Sequence, residues 1–375
     1  MVTQKIDKDD DILGVYHEWA KEIAKSFDKL SVICLFEGVN DLPDSIPVFS
    51  LGKEDGNFQF PIFNFQSIPN FPIFKKLQYT LRFYKYIWDE RENYDVVFVH
   101  MNPVYVILGW PLWKALGKRI FLWFAHPAWN WKVRLAYALS DRVITSVPEA
   151  FYAKGKKVIA IGQGIDTDVF CRDLRVERGE NSLLSLGRLS PAKKVEVLIG
   201  AVSRLDVPYN LSIVGGPTPV KGVQEYAEGL KALVEKLGLA RAVQFWGRVP
   251  YKETTLWFRR SEIFINLSST GYFDKTVIEA MACECVVVVC NDAYRHIFPE
   301  DLHDLLIFQA GNPDDLAMKL RRILLLSDQE KERIGKRLRE DERRAIGRTL
   351  RGIVVRDHSL STLGKRLHAA FSSNQ

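Results

Sequence analysis

The chain has 375 residues, of which 47% are hydrophobic and 26% charged, a composition that is typical of globular proteins and excludes intrinsic disorder. Two domains are expected at this length, because one hydrophobic core rarely serves so many residues. The 52 Lys and Arg against 46 Asp and Glu give a net charge of +6. This mild surplus suits anionic ligands or an acidic membrane surface and is too weak to indicate nucleic acid.

The cysteines and the first residues bear on the compartment. There are five cysteines, an odd number, and most lie within apolar runs, so we expect them to be reduced. The polar start MVTQKIDKDDD predicts that there is no signal peptide, and no apolar run approaches membrane-spanning length. We expect a cytoplasmic protein that is soluble or bound at the inner face of a membrane.

The first half of the chain alternates apolar strands with helices. After a first short strand, strands are predicted at Leu30–Phe36, Val96–His100, Arg119–Phe124, Val143–Ser146 and Val158–Ile161. A helix is predicted over Gly14–Phe27, with apolar residues on one stripe. In the preceding turn, DDDILG, Gly14 lets the loop approach a ligand, and the acidic residues Asp9–Asp11 are expected to cap the helix.

The second half repeats this alternation. Strands are predicted at Ser182–Leu186, Leu211–Val214, Val243–Phe245, Ile263–Leu267 and Cys285–Cys290, with helices near Val195–Arg204 and Val223–Leu237. The pattern predicts an α/β protein of two doubly wound parallel-sheet, Rossmann-like domains. Glycines near Gly162–Phe170 place the boundary at 165/166. The second domain is expected to end at 351, and a last helix, about 352–375, to pack back on the first.

Doubly wound sheets bind ligands at the carboxyl ends of their strands, so the turns that follow strands are the places to search. In SLGRLSPAKK a strand ends at Gly187 and is followed by Arg188 and Lys193, which suit a diphosphate; the alternative is a solvated basic turn. In IVGGP, Gly215 and Gly216 permit a close approach of the backbone to a ligand, or form a plain tight turn.

The stretch Ser268–Cys283, SSTGYFDKTVIEAMAC, follows a strand and opens a helix. Its first turns carry Asp274, Lys275 and Thr276, and unpaired amides at a helix start suit a phosphate. Glu279 lies about one turn beyond Thr276, so it is placed to reach a sugar hydroxyl beside that phosphate. This arrangement predicts a site for a nucleotide sugar.

Two histidines end strands in the first half. His126, in FLWFAHP, either hydrogen-bonds a sugar hydroxyl or is a structural histidine. His100, at the end of Val96–His100, has the same alternatives, and the structural one is favoured.

Taken in order, these motifs resemble the retaining glycosyltransferases of family four. The motifs that carry the resemblance are GQGIDTDVF, SLGRLSPAKK, IVGGP, WGRVP and DKTVIEAMA, with DVVFVH and FLWFAH agreeing in layout. The resemblance implies the GT-B fold, in which two Rossmann-like domains face a central cleft. It also implies transfer of a sugar, with retention, from a nucleotide-diphosphate sugar to a carbohydrate or lipid-linked acceptor.

The resemblance implies a role for each matching residue. Arg188 and Lys193 would bind the donor diphosphate, and Glu279 the donor ribose. His126 would lie beside the transferred sugar, and the loop of Gly14 would approach the donor phosphate. The donor site would also include Gly187, Gly215, Gly216, Lys275 and Thr276.

One position departs from the family pattern. The family has a second glutamate eight residues before the one that matches Glu279, and this chain has Gly271 there. We hypothesise that Asp274 supplies a replacement carboxylate for catalysis. The loss leaves a non-catalytic sugar-nucleotide-binding relative as an alternative, and a GT-B epimerase of nucleotide sugars as another.

Neither a metal nor a cofactor is expected beyond the donor itself, such as a UDP- or GDP-sugar. The two Asp-x-Asp strings, Asp9–Asp11 and Asp166–Asp168, are interpreted as caps or turns rather than metal ligands. Arg188, Lys193 and the helix amides near Thr276 would neutralise the leaving diphosphate instead.

The acceptor side is predicted from one aromatic stretch. Phe58–Phe74, FQFPIFNFQSIPNFPIF, leads into a basic amphipathic segment with Lys75, Lys76, Arg82 and Lys85. It either rests on an anionic membrane surface or fills the edge of the core. The arginine-rich run Arg333–Arg351 is predicted to be a solvated helical face.

Overall fold

The computed structural model describes residues 1–10, 13–55, 72–217, 222–325 and 339–373. They form two compact units. The first domain is Met1–Gly164 together with Leu360–Gln375, and the second is Ile165–Ser359.

The first domain has a parallel sheet that is seven-stranded in its described part, with the order β3-β2-β1-β4-β5-β6-β7. Its strands are β1 Val2–Ile6, β2 Val32–Glu37, β3 Val48–Ser50, β4 Val96–His100, β5 Arg119–Trp123, β6 Arg142–Thr145 and β7 Val158–Ala160. Its helices are α1 Val15–Ala24, α2 Pro72–Asp89, α3 Pro103–Ala115, α4 Trp131–Leu139 and, after the second domain, α12 Leu363–Ser372.

Both faces of this sheet are covered, because successive side chains on a strand point to opposite faces. In β4, Val97 and Val99 pack with buried residues of α2, α3 and α4. Phe98, between them, packs on the other face with Trp19 of α1 and Leu367 of α12. The near-continuous apolar strands that predicted this domain therefore reflect two buried faces.

The second domain has a parallel sheet whose order, within the described residues, is β10-β9-β8-β11-β12. Its strands are β8 Ser182–Leu186, β9 Asn210–Val214, β10 Val243–Gly247, β11 Ile263–Asn266 and β12 Val286–Val289. Its helices are α5 Val195–Val202, α6 Val223–Lys236, α7 Tyr251–Arg260, α8 Lys275–Ala282, α9 His303–Leu306, α10 Pro313–Leu325 and α11 Arg339–Asp357.

Each sheet has one point where the connections diverge. In the first domain the chain moves outward from β1 to β3 and then from β4 to β7, so the divergence lies between β1 and β4. In the second domain it lies between β8 and β11. Crevices at such points, at the carboxyl ends of the strands, are where doubly wound sheets bind ligands.

The end of the second domain differs from the prediction. Residues 352–359 belong to the second domain rather than the first, because α11 continues to Asp357 and keeps Val354 buried. Arg351, predicted to lie on a solvated face, instead donates hydrogen bonds to the backbone oxygens of Phe170, Ala282 and Thr167. The Arg351 side chain is partly buried and ties α11 to three backbone carbonyls of the second domain.

The predicted aromatic stretch Phe58–Phe74 lies outside the residues whose side chains are described, which begin again at Lys75. In the described part of the chain, none of the helices combines the length and the apolar run that crossing a bilayer requires.

Candidate functional site

A pocket lies in the second domain where β8 and β11 diverge. Its lining comes from the ends of β8, β9 and β11, and includes Gly187, Arg188 and Lys193. The loop after β8 thus reaches the same crevice as the loop after β11, which leads into α8. The predicted phosphate-binding residues of both loops come together here.

Lys193 and Asp274 form an ion pair across these two loops. The Lys193 Nζ lies 2.5 Å from Asp274 Oδ2 and 2.7 Å from the Ser268 hydroxyl. The same Oδ2 accepts hydrogen bonds from Ser268 Oγ at 2.5 Å and Asn266 Nδ2 at 2.9 Å. Burial alone would raise the pKa of Asp274, but the charge and hydrogen bonds of Lys193, with those of Ser268 and Asn266, hold that pKa below its ordinary value. Asp274 is therefore a charged carboxylate at neutral pH.

Arg188 differs from Lys193 in having no counter-charge. Its side chain is exposed and makes no hydrogen bond or ion pair with any described residue. A guanidinium has five donors in a fixed fork, a geometry that fits phosphate oxygens.

Glycines bring the loops after β8 and β9 close together. Gly187 and Gly215 have φ of 155° and 137°. A Cβ added to Gly215 would lie 1.7 Å from the Gly187 carbonyl oxygen, so no side chain fits there. Gly216 continues the contact, since its carbonyl oxygen accepts from the Leu189 amide at 3.0 Å. The glycines of IVGGP thus fix the shape of the loop that carries Arg188.

Glu279 is fully buried on α8, yet half of its carboxylate lacks a partner. Oε1 accepts from the Tyr251 hydroxyl at 2.7 Å and lies 3.3 Å from Lys275 Nζ. Lys275 in turn sits 4.1 Å from the centroid of the Tyr251 ring. Oε2 is buried without a hydrogen bond from any described residue. Because a buried, unpaired carboxylate oxygen is costly, this atom calls for an outside donor such as a hydroxyl or water.

Among the described residues that form the site, the charges leave one cation unbalanced. Lys193 is neutralised by Asp274 and Lys275 by Glu279, whereas Arg188 stands alone. The Asp274 side chain caps none of the first amides of α8, including that of Thr276, which also carry partial positive charge. A net positive crevice with free donors is suited to a phosphate-bearing ligand.

The remaining predicted residues belong to the first domain. His126 follows β5, is partly buried, and accepts at Nδ1 from the Ala128 amide at 3.0 Å. Burial lowers the pKa of His126, so the ring is neutral at pH 7. Gly14 precedes α1 with an ordinary φ of −57°. Its lack of a side chain serves packing, since a Cβ would lie 2.6 Å from the Asp10 carbonyl oxygen.

Contrary to the prediction, the N-cap of α1 is Gly14, which has no side chain, rather than Asp9 or Asp10. Asp11 lies outside the described residues. Asp10 Oδ1 instead accepts from the Leu13 amide at 2.7 Å, and its Oδ2 pairs with Lys5 Nζ at 2.6 Å. The carboxylate is held toward the strand by that lysine and closes the turn before the helix.

The second Asp-x-Asp string behaves as predicted. Asp166 Oδ1 accepts from the amides of Asp168 and Val169, both at 3.0 Å, as a turn-forming aspartate does. Among the described residues there is no group of three or more His, Cys, Asp or Glu side chains arranged to hold a metal ion.

Three residues of the site had no role predicted from the sequence. Asn266 was included in the predicted strand Ile263–Leu267, and Ser268 opens the stretch Ser268–Cys283 without a role assigned to it, although a polar residue at the end of a strand is itself a signal. Tyr251 gave no local signal, because it opens α7, 28 residues before Glu279.

Comparisons with known proteins show which sequences and folds this chain resembles. Residues 167–341 match the family model described as Glycosyl transferases group 1. The matched residues lie within the second domain, which is thus similar to this family over most of its length. Arg188, Lys193, Asp274 and Glu279 all lie within the matched residues.

Two curated relatives extend the likeness. The D-inositol 3-phosphate glycosyltransferase of Streptomyces avermitilis is 27% identical over 207 residues, which cover 49% of this chain and 44% of that protein. The N-acetylgalactosamine-N,N'-diacetylbacillosaminyl-diphospho-undecaprenol 4-alpha-N-acetylgalactosaminyltransferase of Campylobacter jejuni is 31% identical over 169 residues, which cover 44% of this chain and 41% of that one. The matched stretches thus span less than half the length of these relatives.

A solved structure matches nearly the whole chain. The Anabaena protein Alr3699/HepE, solved in complex with UDP, has a TM-score of 0.70 and 16% sequence identity, and the match covers 99% of this chain and 100% of that one. Together with the two parallel sheets, this likeness shows that the fold is GT-B.

Proposed function

We propose that this protein is a retaining glycosyltransferase of family four. It moves a sugar from a nucleoside-diphosphate sugar to a carbohydrate or lipid-linked acceptor, without a metal ion. The observation that carries the proposal is the unpaired Arg188 guanidinium, which shares a crevice with Lys193 beside the start of α8.

Glycosyl transfer passes through an oxocarbenium-like state as the bond to the diphosphate stretches, so the leaving group gains negative charge. Arg188 binds and neutralises phosphate oxygens as this charge grows. Lys193 and the amides of Lys275 and Thr276 add donors on the other side of the crevice. These groups do the work that a divalent cation does in other glycosyltransferases.

Glu279 Oε2, which is buried and unpaired, accepts a hydrogen bond from a ribose hydroxyl of the donor. Lys275 and Tyr251 contact the other oxygen of this carboxylate, Oε1, so Oε2 is left for the ribose. In the first domain, His126 hydrogen-bonds the transferred sugar, and the loop at Gly14 approaches the donor phosphate.

The named relatives suggest which substrates to test first. HepE has been solved with UDP-glucose, which supports a UDP-sugar as the donor. The name of the Campylobacter relative describes a sugar acceptor linked to undecaprenol diphosphate, which supports a lipid-linked acceptor. It also names an alpha linkage, in keeping with retention from an alpha-linked donor.

An exposed face of α2 supports an anionic membrane surface as a partner. Leu77, Leu81 and Trp88 are each more than half exposed, although they are large apolar residues. Lys76 and Lys85 are also exposed on α2. An apolar stripe flanked by lysines is suited to the boundary between lipid headgroups and acyl chains. The proposed location is the cytoplasmic face of the membrane.

The test is the binding of UDP and GDP by calorimetry. Arg188→Ala is expected to weaken binding of the preferred diphosphate at least tenfold and to leave the melting temperature unchanged, since Arg188 has no partner among the described residues. The matched control is Arg241→Ala, because Arg241 is also exposed and precedes β10 at the opposite end of the sheet. Equal affinities for the two variants would contradict the proposal.

Turnover with a panel of nucleotide sugars then separates the alternatives. A glycosyltransferase releases nucleoside diphosphate and transfers the sugar, an epimerase returns a changed nucleotide sugar, and a non-catalytic relative only binds. Activity is expected to persist in EDTA. Loss of activity in EDTA and its return with manganese would contradict the metal-free mechanism.

A further inference from the structure

The loop that has Gly271 in place of the family's glutamate also carries Asp274, whose carboxylate makes its own set of contacts. Gly271, at the position of that glutamate, has a φ of 101°, a conformation that disfavours any residue with a side chain. Three residues on, Asp274 points its Oδ2 at Lys193, Ser268 and Asn266. Its carboxylate thus binds Lys193, in the loop after β8 on the opposite side of the crevice.

We propose that Asp274 is a positioning residue, which holds the Lys193 ammonium in place for the leaving diphosphate, rather than a contact to the transferred sugar. The inference rests on the proposed function, because it assigns Lys193 to the donor diphosphate. It differs from the replacement of a sugar-binding carboxylate, which the sequence suggested.

Three hydrogen bonds hold Asp274 Oδ2 in place. Three donors, from a lysine, a serine and an asparagine, lie within 2.9 Å of this one oxygen. Asn266 and Ser268 are themselves buried. The Asn266 side-chain oxygen accepts from the Ser268 amide at 3.1 Å, which fixes the orientation of the amide group. The oxygen that holds Lys193 is therefore itself held rigidly.

The remaining contacts fix the ammonium. Lys193 also donates to the Ser268 hydroxyl, and about a quarter of the lysine and aspartate side chains is exposed. Lys193 also lines the pocket between the loops, so an incoming phosphate can reach the pair. A long lysine side chain normally loses rotamer entropy when it binds a ligand. Because the contacts with Asp274 and Ser268 already order Lys193 in the free protein, less entropy is lost on binding.

The opposite charges of Lys193 and Asp274 determine at which stage of the reaction the lysine contributes. The Asp274 carboxylate cancels the charge of Lys193 in the resting crevice, so the lysine adds little to binding of the ground-state diphosphate. As the leaving group gains charge, a fixed ammonium gains interaction energy at once, with no reorganisation. Asp274 should therefore affect kcat more than donor KM.

The test is a double-mutant cycle with Lys193→Met, Asp274→Asn and the double variant. Lys194→Met is the matched control, since this neighbouring lysine is exposed and its side chain makes no hydrogen bond with a described residue. Thermal unfolding is measured first, because it does not depend on any activity. Each single variant leaves one charge without its partner, so Lys193→Met should lower Tm by about 3 °C or more. The double variant should recover at least half of that loss, and Lys194→Met should change nothing.

Turnover of the best donor is measured next. Asp274→Asn should lower kcat about tenfold or more with donor KM changed less than about threefold, and Lys193→Met should lower kcat further. The double variant should equal Lys193→Met, because Asp274 acts only through Lys193. A loss in the double variant equal to the product of the single losses would overturn the proposal and favour a direct contact to the sugar.

The two readouts distinguish this proposal from the proposed function. If wild-type protein neither binds UDP or GDP nor turns over any donor, the proposed function fails, whereas a coupled melting cycle still supports the fixed pair. If Tm and kcat losses are additive while turnover is present, the pair is not a unit and the positioning role is overturned.

Discussion

At the scale of single residues, the site depends on two backbone positions that favour glycine. Gly187 and Gly215 meet where the loops after β8 and β9 touch, and both have positive φ. The geometry of the loop that carries Arg188 therefore depends on glycine at both positions.

Gly215→Ala is expected to destabilise the protein by about 2 kcal/mol or more, because the new Cβ would collide with the Gly187 carbonyl and strain the backbone. Gly229→Ala is the control, since Gly229 lies in α6 with open space around it. There alanine should stabilise by about 0.5 to 1 kcal/mol. Urea unfolding measures both, and a Gly215→Ala variant as stable as wild type would contradict the argument.

His100 is the second residue whose surroundings make a prediction. It is 3% exposed, and its ring lies 4.0 Å from that of Tyr16 and 5.6 Å from that of Trp19, centroid to centroid. Its Nε2 is buried without a partner among the described residues. Burial lowers the pKa of His100 from 6.5 to about 3, so the structural interpretation of this histidine is favoured.

The lowered pKa predicts how stability depends on pH. The unfolded chain binds a proton below pH 6.5 and the folded protein does not until about pH 3, so stability is lost as the pH falls through this window. The slope is about 1.4 kcal/mol per pH unit. Between pH 7 and 5, wild type should lose about 2 kcal/mol more than His100→Phe, measured by urea unfolding. His368→Gln, at an exposed histidine, should behave as wild type; an equal loss in all three would count against the prediction.

At the scale of elements, the last helix completes the first domain from the far end of the chain. The buried side of α12, with Leu363, Leu367 and Phe371, packs on Trp19 and Ile23 of α1 and covers one face of the sheet. The expectation that a terminal helix returns to this domain came from its position and spacing, whereas the residue at which it returns, Leu360, came from the structure.

Leu367→Ala should therefore destabilise the first domain, although residue 367 lies beyond the second domain in sequence. Leu367 is fully buried, and the loss of its side chain is expected to cost about 3 kcal/mol. Lys365→Ala, on the exposed side of the same helix, should change stability by less than about 0.5 kcal/mol. Similar melting temperatures for the two variants would mean that α12 contributes little.

The helices and strands also differ in how clearly the sequence predicts them. Val96–His100 and Ser182–Leu186 were predicted with their observed bounds, because short apolar runs between turn residues indicate buried strands. The bounds of helix α3 were not predicted, because PVYVILGWPLWKA is apolar on all sides and carries Pro111, so it shows no helical period. Strand β3 was missed because three residues are too few to show alternation.

At the scale of the whole molecule, a net charge of +6 and the exposed face of α2 predict binding to anionic vesicles. Replacing both Leu77 and Leu81 with serine should lower the fraction that sediments with anionic vesicles at least threefold, because apolar area leaves the interface. Leu174→Ser is the control, since this leucine is 88% exposed but belongs to the second domain. Binding should weaken as salt rises; equal sedimentation of the variants would contradict the prediction.

The sequence by itself determined the class of fold, the two domains, and the turns where ligand-binding residues lie. These features follow from local pattern: apolar periodicity, glycine at turns, and charged residues at the start of a helix. Only the tertiary structure decided which of those residues meet. Lys193 and Asp274 are 81 residues apart, and they pair because β8 and β11 are neighbours in the sheet. The same holds for Tyr251 and Glu279, whose contact depends on how α7 lies against α8. Strand order and helix packing are properties of the whole folded chain, so no local pattern contains them.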